Sequence, residues 1–275
     1  MTIEYRELHT VPELDRTIDI QMAAWGRDDR SIIAVNMLQA VIHAGGMVIG
    51  AILDGDVVGY GLAVIGRKGT NQYYLWSHQT AVFPQYQRQK IGLGIKLAQR
   101  TWALAHGYDT IGWTFDPLQH KNSRFNLHIL GALGEGFIPD FYGDSLQDDL
   151  NRGMRTHRIE VMWHLNEARV VALANGAGYS TELTEFPHEH FLVYGENGIP
   201  VVNPNPILSD YRFIEIPYDI NQVKVENKSI AIQWQDAVAD GLTQSFAQGY
   251  VAVDCYSDAG RCWHILKRIR TGKNA

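Results

Sequence analysis

Apolar residues recur every three or four positions over residues 11–26, with Ile18, Met22 and Trp25 on one side and Gly26 as a stop. That spacing predicts a helix. The run "SIIAVNMLQAVIHAGG" predicts a second, ended by Gly45 and Gly46. "IEYRELH" alternates and reads as a strand. "MVIGAILDGDVVGYGLAVIG" reads as two apolar strands joined at Asp54-Gly55, a strong hairpin signal. "QYYLWSHQTAVF" is a further strand, with Pro84 just beyond it. A helix from the next loop to His106, a strand "YDTIGWTF", a helix "NSRFNLHILGALG" and a strand "RIEVMWHL" follow. The order is β-α-α-β-β-β-α-β-α-β, a mixed α/β (α+β) pattern without an internal repeat.

Beyond residue 165 the pattern changes. "FLVYGENGIPVVNPNPILSDYRFIEIP" reads as strands with turns at Gly195, Gly198 and Pro204-Asn205-Pro206. Ile230, Trp234, Ala237, Leu242 and Phe246 recur near helical spacing, and Gly249 ends that helix. "YVAVDCYSDAGRCWHILKRI" then reads as a hairpin. These residues form a second, smaller α+β unit, 166–275. Pro-Asn-Pro is a rigid turn rather than a linker, so this unit is expected to pack on residues 1–165.

The 275 residues suffice for one large domain or two modest ones, and 45% hydrophobic residues allow a sizeable core. The formal net charge of -6 argues against wholesale nucleic-acid binding and confines any anion site to a local basic patch. No apolar run reaches membrane-spanning length, so no membrane association is expected. "MTIEYRELHT" lacks a basic-then-apolar leader, which points to a cytoplasmic protein. Cys255 and Cys262 flank "YSDAGR". They could face each other across a hairpin, but in the cytoplasm two free thiols are expected. Neither cysteine has further ligands at metal spacing, so no metal site is read.

One stretch combines unusual features. "QYQRQKIGLGIKLAQR" gathers Arg88, Lys90, Lys96 and Arg100 around Gly92 and Gly94, where an amphipathic helix begins. A helix N-terminus carries unpaired N–H groups and partial positive charge. Glycines let that backbone approach a ligand, and cations add to the field. The combination suits a pyrophosphate. An ordinary glycine-containing loop with solvated cations is the plainer alternative. The spacing matches neither the triphosphate-binding loop nor the dinucleotide fingerprint.

Gln89-Lys90-Ile91-Gly92-Leu93-Gly94 resembles the Q/R-x-x-G-x-G/A acyl-CoA loop of the GNAT acetyltransferase superfamily. The element order over residues 1–165 fits that resemblance. The run "SHQTAVFPQYQRQKIGLG", with "WTFDPL" and "LGA", is similar to a bacterial branch of it that carries a C-terminal extension. The resemblance implies a mixed, mostly antiparallel sheet flanked by helices, and acetyl-CoA as co-substrate. It implies that backbone groups of Gln89, Lys90, Ile91, Gly92, Leu93 and Gly94 hold the pyrophosphate, with Arg88 adjacent. Thr80, Ala81 and Val82 would offer backbone groups to the pantetheine arm, in a gap between their strand and "YDTIGWTF". A backbone N–H near Ala81 and Val82 would polarise the thioester carbonyl. Asn122 would touch CoA, or simply cap its helix. Lys90 departs from the glycine often found at its position.

Acyl transfer to an amine requires a neutral nucleophile, hence a proton acceptor. Relatives often place a Glu on the strand before the loop. This strand has none, but it has His78, a residue type that titrates near neutrality. The alternative is a buried, hydrogen-bonded strand histidine. Relatives also carry a tyrosine as general acid, and Leu127 stands at that position. Tyr142 could replace it, or only pack at the sheet edge. Asp116 could anchor the amine, or cap the turn before Pro117. Trp25, Tyr60, Trp76 and Trp113 could line an acceptor pocket or belong to the core.

The resemblance therefore implies an N-acetyltransferase acting on a small-molecule, peptide or protein amine by direct attack in a ternary complex. The missing tyrosine keeps open a non-catalytic acyl-CoA-binding sensor. The C-terminal unit keeps open a partner-binding scaffold, and could lid the site, mediate a homodimer or extend the core.

Overall fold

The computed structural model describes residues 2–26, 32–143, 153–178, 188–207 and 209–269. They divide into two compact units, one of described residues up to Trp113 and one of described residues from Thr114 on.

The first unit runs β1 (Glu4–Glu7), α1 (Val11–Trp25), α2 (Val35–His43), β2 (Met47–Leu53), β3 (Asp56–Lys68), β4 (Gln72–Val82), α3 (Ile91–Ala105) and into β5 (Thr110–Phe115). Gly26 ends α1 in the left-handed region, as its position in the sequence predicts. Helix α2 is shorter than the predicted run, whose first residue, Ser31, lies outside the described residues. Asp54 and Gly55 both have positive φ, as a two-residue hairpin turn requires. The sheet order is β1-β2-β3-β4-β5, antiparallel except for the parallel pair β4/β5. One face buries Leu14 and Ile20 of α1 and Leu38 and Val41 of α2 against Tyr60, Leu62 and Ala81. The other face receives α3. A Cβ at Gly61 would meet Ile95 at 2.7 Å, so this glycine lets the helix lie close on β3.

The second unit contains α4 (His120–Ser123), continued as a π-helical turn over Arg124–Ile129, then β6 (Leu133–Ile138) and β7 (Arg158–His164). It continues with α5 (Ala168–Ala174), β8 (Phe191–Glu196), β9 (Ile199–Val202), β10 (Tyr211–Ile216), α6 (Ile220–Glu226), α7 (Lys228–Ala247), β11 (Tyr250–Asp258) and β12 (Arg261–Arg268). Its strands lie in the order β7-β6-β11-β12-β10-β8-β9, with β10/β8 parallel and the other described pairs antiparallel. The sheet is thus mixed and mostly antiparallel, and flanked by helices, as expected.

Three elements differ from the sequence reading. β6 replaces the end of the predicted helix over 122–134, because Gly131, at φ 71°, turns the chain out of the helix. Helices α5 and α6 were not foreseen, being only seven residues each. The cysteines are free and buried. Burial pushes the Cys255 thiol well up and that of Cys262 to about 12.

Candidate functional site

The features of the candidate loop gather at the end of β4 and the start of α3. Strand β4 pairs with β3 along its length, but with β5 only at Leu75↔Ile111 and Trp76↔Gly112. Ser77 and Trp113 are the first residues beyond that last pair. Past them β4 has no strand partner on its β5 side among the described residues. Which groups face that side follows from strand alternation. Phe83 N–H donates to Val58 O (3.0 Å), so the residues opposite β3 at Ala81 also turn their backbone toward β3. The backbone groups of Thr80 and Val82 therefore face away from β3. Gln87 reaches back from the loop to the Val82 carbonyl (3.2 Å).

A β-bulge re-aims the middle of this strand. Leu62 pairs with Gln79 and Ala63 with Ser77, leaving His78 as the extra residue. Ser77 faces α3, where its Oγ donates to Gln99 Oε1 (3.2 Å). Gln79 faces the opposite layer, where its Oε1 accepts from Tyr60 Oη (2.5 Å). Two residues in alternate positions thus serve opposite faces, and His78 between them is exposed. The alternative of a buried strand histidine does not hold: His78 is exposed at the bulge. Tyr60 is wholly buried and belongs to the core rather than a pocket.

The loop is strained and its helix start is open. Arg88 and Lys90 have φ of 63° and 62°, a left-handed conformation costing non-glycine residues about 1 kcal/mol each. That explains why glycine would suit position 90. Lys90 is the N-cap, and no side chain caps the helix. The first intrahelical bond of the loop runs from Gly94 N–H to Lys90 O (3.0 Å), so the N–H groups of Ile91, Gly92 and Leu93 precede any intrahelical acceptor. The two glycines differ. A Cβ at Gly92 would meet nothing within 4 Å, whereas one at Gly94 would lie 2.1 Å from the Tyr5 ring. Gly94 is therefore needed for packing against β1, and Gly92 borders open space. Arg88, Gln89 and Lys90 are exposed.

Lys96 does not join those loop cations. It lies one turn beyond Gly92 on the same helix face and is only 4% exposed. Its Nζ donates to Ser77 Oγ (2.8 Å) and sits 3.9 Å from the centroid of the Trp113 ring. Burial brings its pKa down to about 7. Nearby, Thr80 Oγ1 and Gln99 Nε2 are buried without a hydrogen-bond partner among the described residues. The sequence offered one hint to Lys96, its place between Ile95 and Leu97 in the apolar run. It offered none to the roles of Ser77 and Gln99.

The remaining candidates lie in the second unit. Asp116 Oδ1 accepts from Leu118 N–H (2.9 Å), which caps the turn at Pro117. Burial holds this carboxyl above its usual range, although Arg158 pulls the other way. Arg158 also lies over the Tyr142 ring, 5.2 Å from its centroid. Asp116 and Tyr142 thus share a neighbour, the buried Arg158, which the sequence reading overlooked. Tyr142 is half-buried, its N–H donating to Thr156 Oγ1 (2.9 Å). Asn122 is not a cap: it stands inside α4, where its Oδ1 accepts from Asn126 Nδ2 (3.2 Å). Leu127, at the position the resemblance gives to tyrosine, is fully buried.

Among the described residues no three His, Cys, Asp or Glu side chains group to hold a metal, and no helix is long and apolar enough to cross a membrane.

No family model matches the chain, and no curated protein does. Among solved structures, 60% of the chain is similar to a GNAT-family protein from Desulfovibrio desulfuricans, covering 99% of it at 14% identity and a TM-score of 0.47. The ribosomal-protein-S18-alanine N-acetyltransferase of Escherichia coli is matched over 67% of this chain and 100% of its own, at 13% identity and TM-score 0.46. A GNAT-family acetyltransferase of Elizabethkingia anophelis with acetyl-CoA bound is matched over 59% and 98%, at 14% identity and TM-score 0.45.

Proposed function

We propose that this protein is an acyl-CoA-dependent N-acyltransferase. One observation carries the reading: a strand edge without a strand partner among the described residues runs directly into a glycine-bearing helix start that has no side-chain cap. The N–H groups of Ile91, Gly92 and Leu93, with the open flank at Gly92, suit a diphosphate. Arg88, Gln89 and Lys90 surround it, Asn122 stays a candidate contact to CoA, and the backbone groups of Thr80 and Val82 suit the amides of a pantetheine arm. The orphaned Thr80 Oγ1 is a further polar group that a bound arm would satisfy. Such a ligand supplies an acyl group activated as a thioester, with acetyl-CoA the first to test.

His78 takes the proton that the attacking amine must lose, worth about 10²–10⁴-fold in rate. Its exposure on the bulge leaves the imidazole reachable by an amine. An N–H of the free β4 edge donates to the carbonyl oxygen as negative charge develops, worth on the order of 3 kcal/mol. Tyr142 and Asp116 enter as candidates for the proton donor and the amine anchor. Attack is direct, since both cysteines are buried with thiols held protonated. The acyl-CoA-binding domain is taken as 1–165, with 166–275 as its extension, in a chain free to act as monomer or homodimer.

The buried Leu127 favours a second reading, an acyl-CoA-binding protein without turnover. Calorimetric titration with acetyl-CoA, followed by thiol-release assays over a panel of amines, tests both. Saturable binding with amine-dependent thiol release supports the enzyme. Binding with no release on any amine supports the sensor, and no binding removes both.

A further inference from the structure

Lys96 is a buried basic group with no anion beside it among the described residues. Its Nζ can donate three hydrogen bonds. One goes to a neutral hydroxyl, Ser77 Oγ at 2.8 Å, and the Trp113 ring face at 3.9 Å takes part of the remaining charge. No carboxylate meets it among the described residues. A buried ammonium in such surroundings is costly, and the cost falls when an anion arrives.

The position of the ammonium says where that anion would come from. Ser77 and Trp113 are the first residues of β4 and β5 beyond their last pair, so Lys96 sits where the pairing of the two strands ends. It lies one helical turn from Gly92 and is far more buried than the loop cations. The diphosphate site is at the exposed helix start, and Lys96 is on the interior side of it. Thr80 Oγ1 and Gln99 Nε2, both orphaned, mark the same α3-facing layer as polar. A short apolar acyl tail would satisfy none of these groups.

We infer that Lys96 makes the site selective for acyl groups that end in a carboxylate, such as a dicarboxylic mono-thioester of CoA. This rests on the acyl-CoA reading above and names its donor class. The carboxylate accepts from an ammonium donor that no described residue uses. The thioester carbonyl stays with the strand edge.

Succinyl-CoA and butyryl-CoA carry acyl chains of equal length and differ in the terminal carboxylate. Calorimetric titration of the full chain with CoA, butyryl-CoA and succinyl-CoA should show succinyl-CoA binding at least tenfold tighter than butyryl-CoA. In Lys96→Met, of similar volume, that preference should vanish while affinity for CoA itself is kept. Lys96→Gln should behave alike. Equal affinity of the wild type for the two thioesters overturns the inference without recourse to any variant. A uniform loss for all three ligands in both variants overturns it too, because Lys96 would then hold the part of the ligand they share. Failure of CoA itself to bind the wild type removes the acyl-CoA reading, and this inference with it.

Discussion

Helix α3 of the first unit and helices α6 and α7 of the second meet one physical problem in two ways. Helices α6 and α7 in the second unit are capped from within. Asp219 accepts from the N–H groups of Asn221 (3.1 Å) and Gln222 (3.2 Å), and Asn227 from those of Ser229 (3.1 Å) and Ile230 (3.2 Å). Helix α3 in the first unit has Lys90 at that position, in a left-handed conformation, and no side-chain cap. On the same helix the buried Lys96 meets a hydroxyl and a ring. Helices α6 and α7 thus satisfy their first N–H groups from within, whereas the start of α3 has no side-chain cap and lies on the helix that carries the orphaned Gln99 Nε2, beside the strand of the orphaned Thr80 Oγ1.

The largest test of that contrast is His78→Ala. If the first unit carries the chemistry, turnover should fall about 10²–10⁴-fold while acetyl-CoA affinity barely changes. Activity should partly return at higher pH, where more of the amine is already neutral. A variant with wild-type turnover and pH profile, normalised to folded protein, would move the proton acceptor elsewhere.

A second test concerns a buried titratable group of the second unit. His264 is fully buried, with Nε2 hydrogen-bonded to Pro117 O (2.8 Å), and burial lowers its pKa to about 4. The folded state therefore binds this proton less readily than the unfolded chain. Its contribution to stability is complete above the ordinary histidine value and lost as pH falls through about 4. Denaturant melts should show a decline of about 3 kcal/mol across that window from this group. The acid limb should be flatter in His264→Gln, and an unchanged limb would assign the acid sensitivity to other groups.

Two glycine variants separate ligand contact from packing. Gly92→Asp brings bulk and negative charge to the open flank, and should weaken acetyl-CoA binding by at least about tenfold with little change in melting temperature. Gly94→Ala places a methyl group against Tyr5, and should cost about 1–3 kcal/mol of stability. Unchanged CoA affinity in Gly92→Asp would remove the cradle.

The smallest expected effect is on the capped helix. Asn227→Ala should lower stability by about 1 kcal/mol in denaturant melts. Acetyl-CoA affinity per folded molecule should not move. Any loss of affinity there would blur the division between self-satisfied and ligand-ready helix starts.

Much of the first unit was legible in the sequence because its signals are local. Asp54-Gly55 needs only its own backbone preference to make a hairpin, and the glycines after Gln89 announce a helix start by spacing. β6 was not legible: "LGALGEGFI" continues an apolar helical pattern, and only pairing with β7 and β11 makes it a strand. His78 was visible as a residue, but its exposure depends on a bulge set by the register of β3 against β4.

The sequence alone determined the order of elements in the first unit, the loop with its charge and glycines, and the absence of a carboxylate on the strand that feeds it. These follow from neighbours along the chain. Tertiary structure decided which glycine borders open space and which packs on Tyr5, and that Asp116 and Tyr142 share Arg158. It also decided that Lys96, one of four cations in a short stretch, is buried between Ser77 and Trp113. Burial and desolvation are set by residues distant in sequence, and no local pattern encodes them.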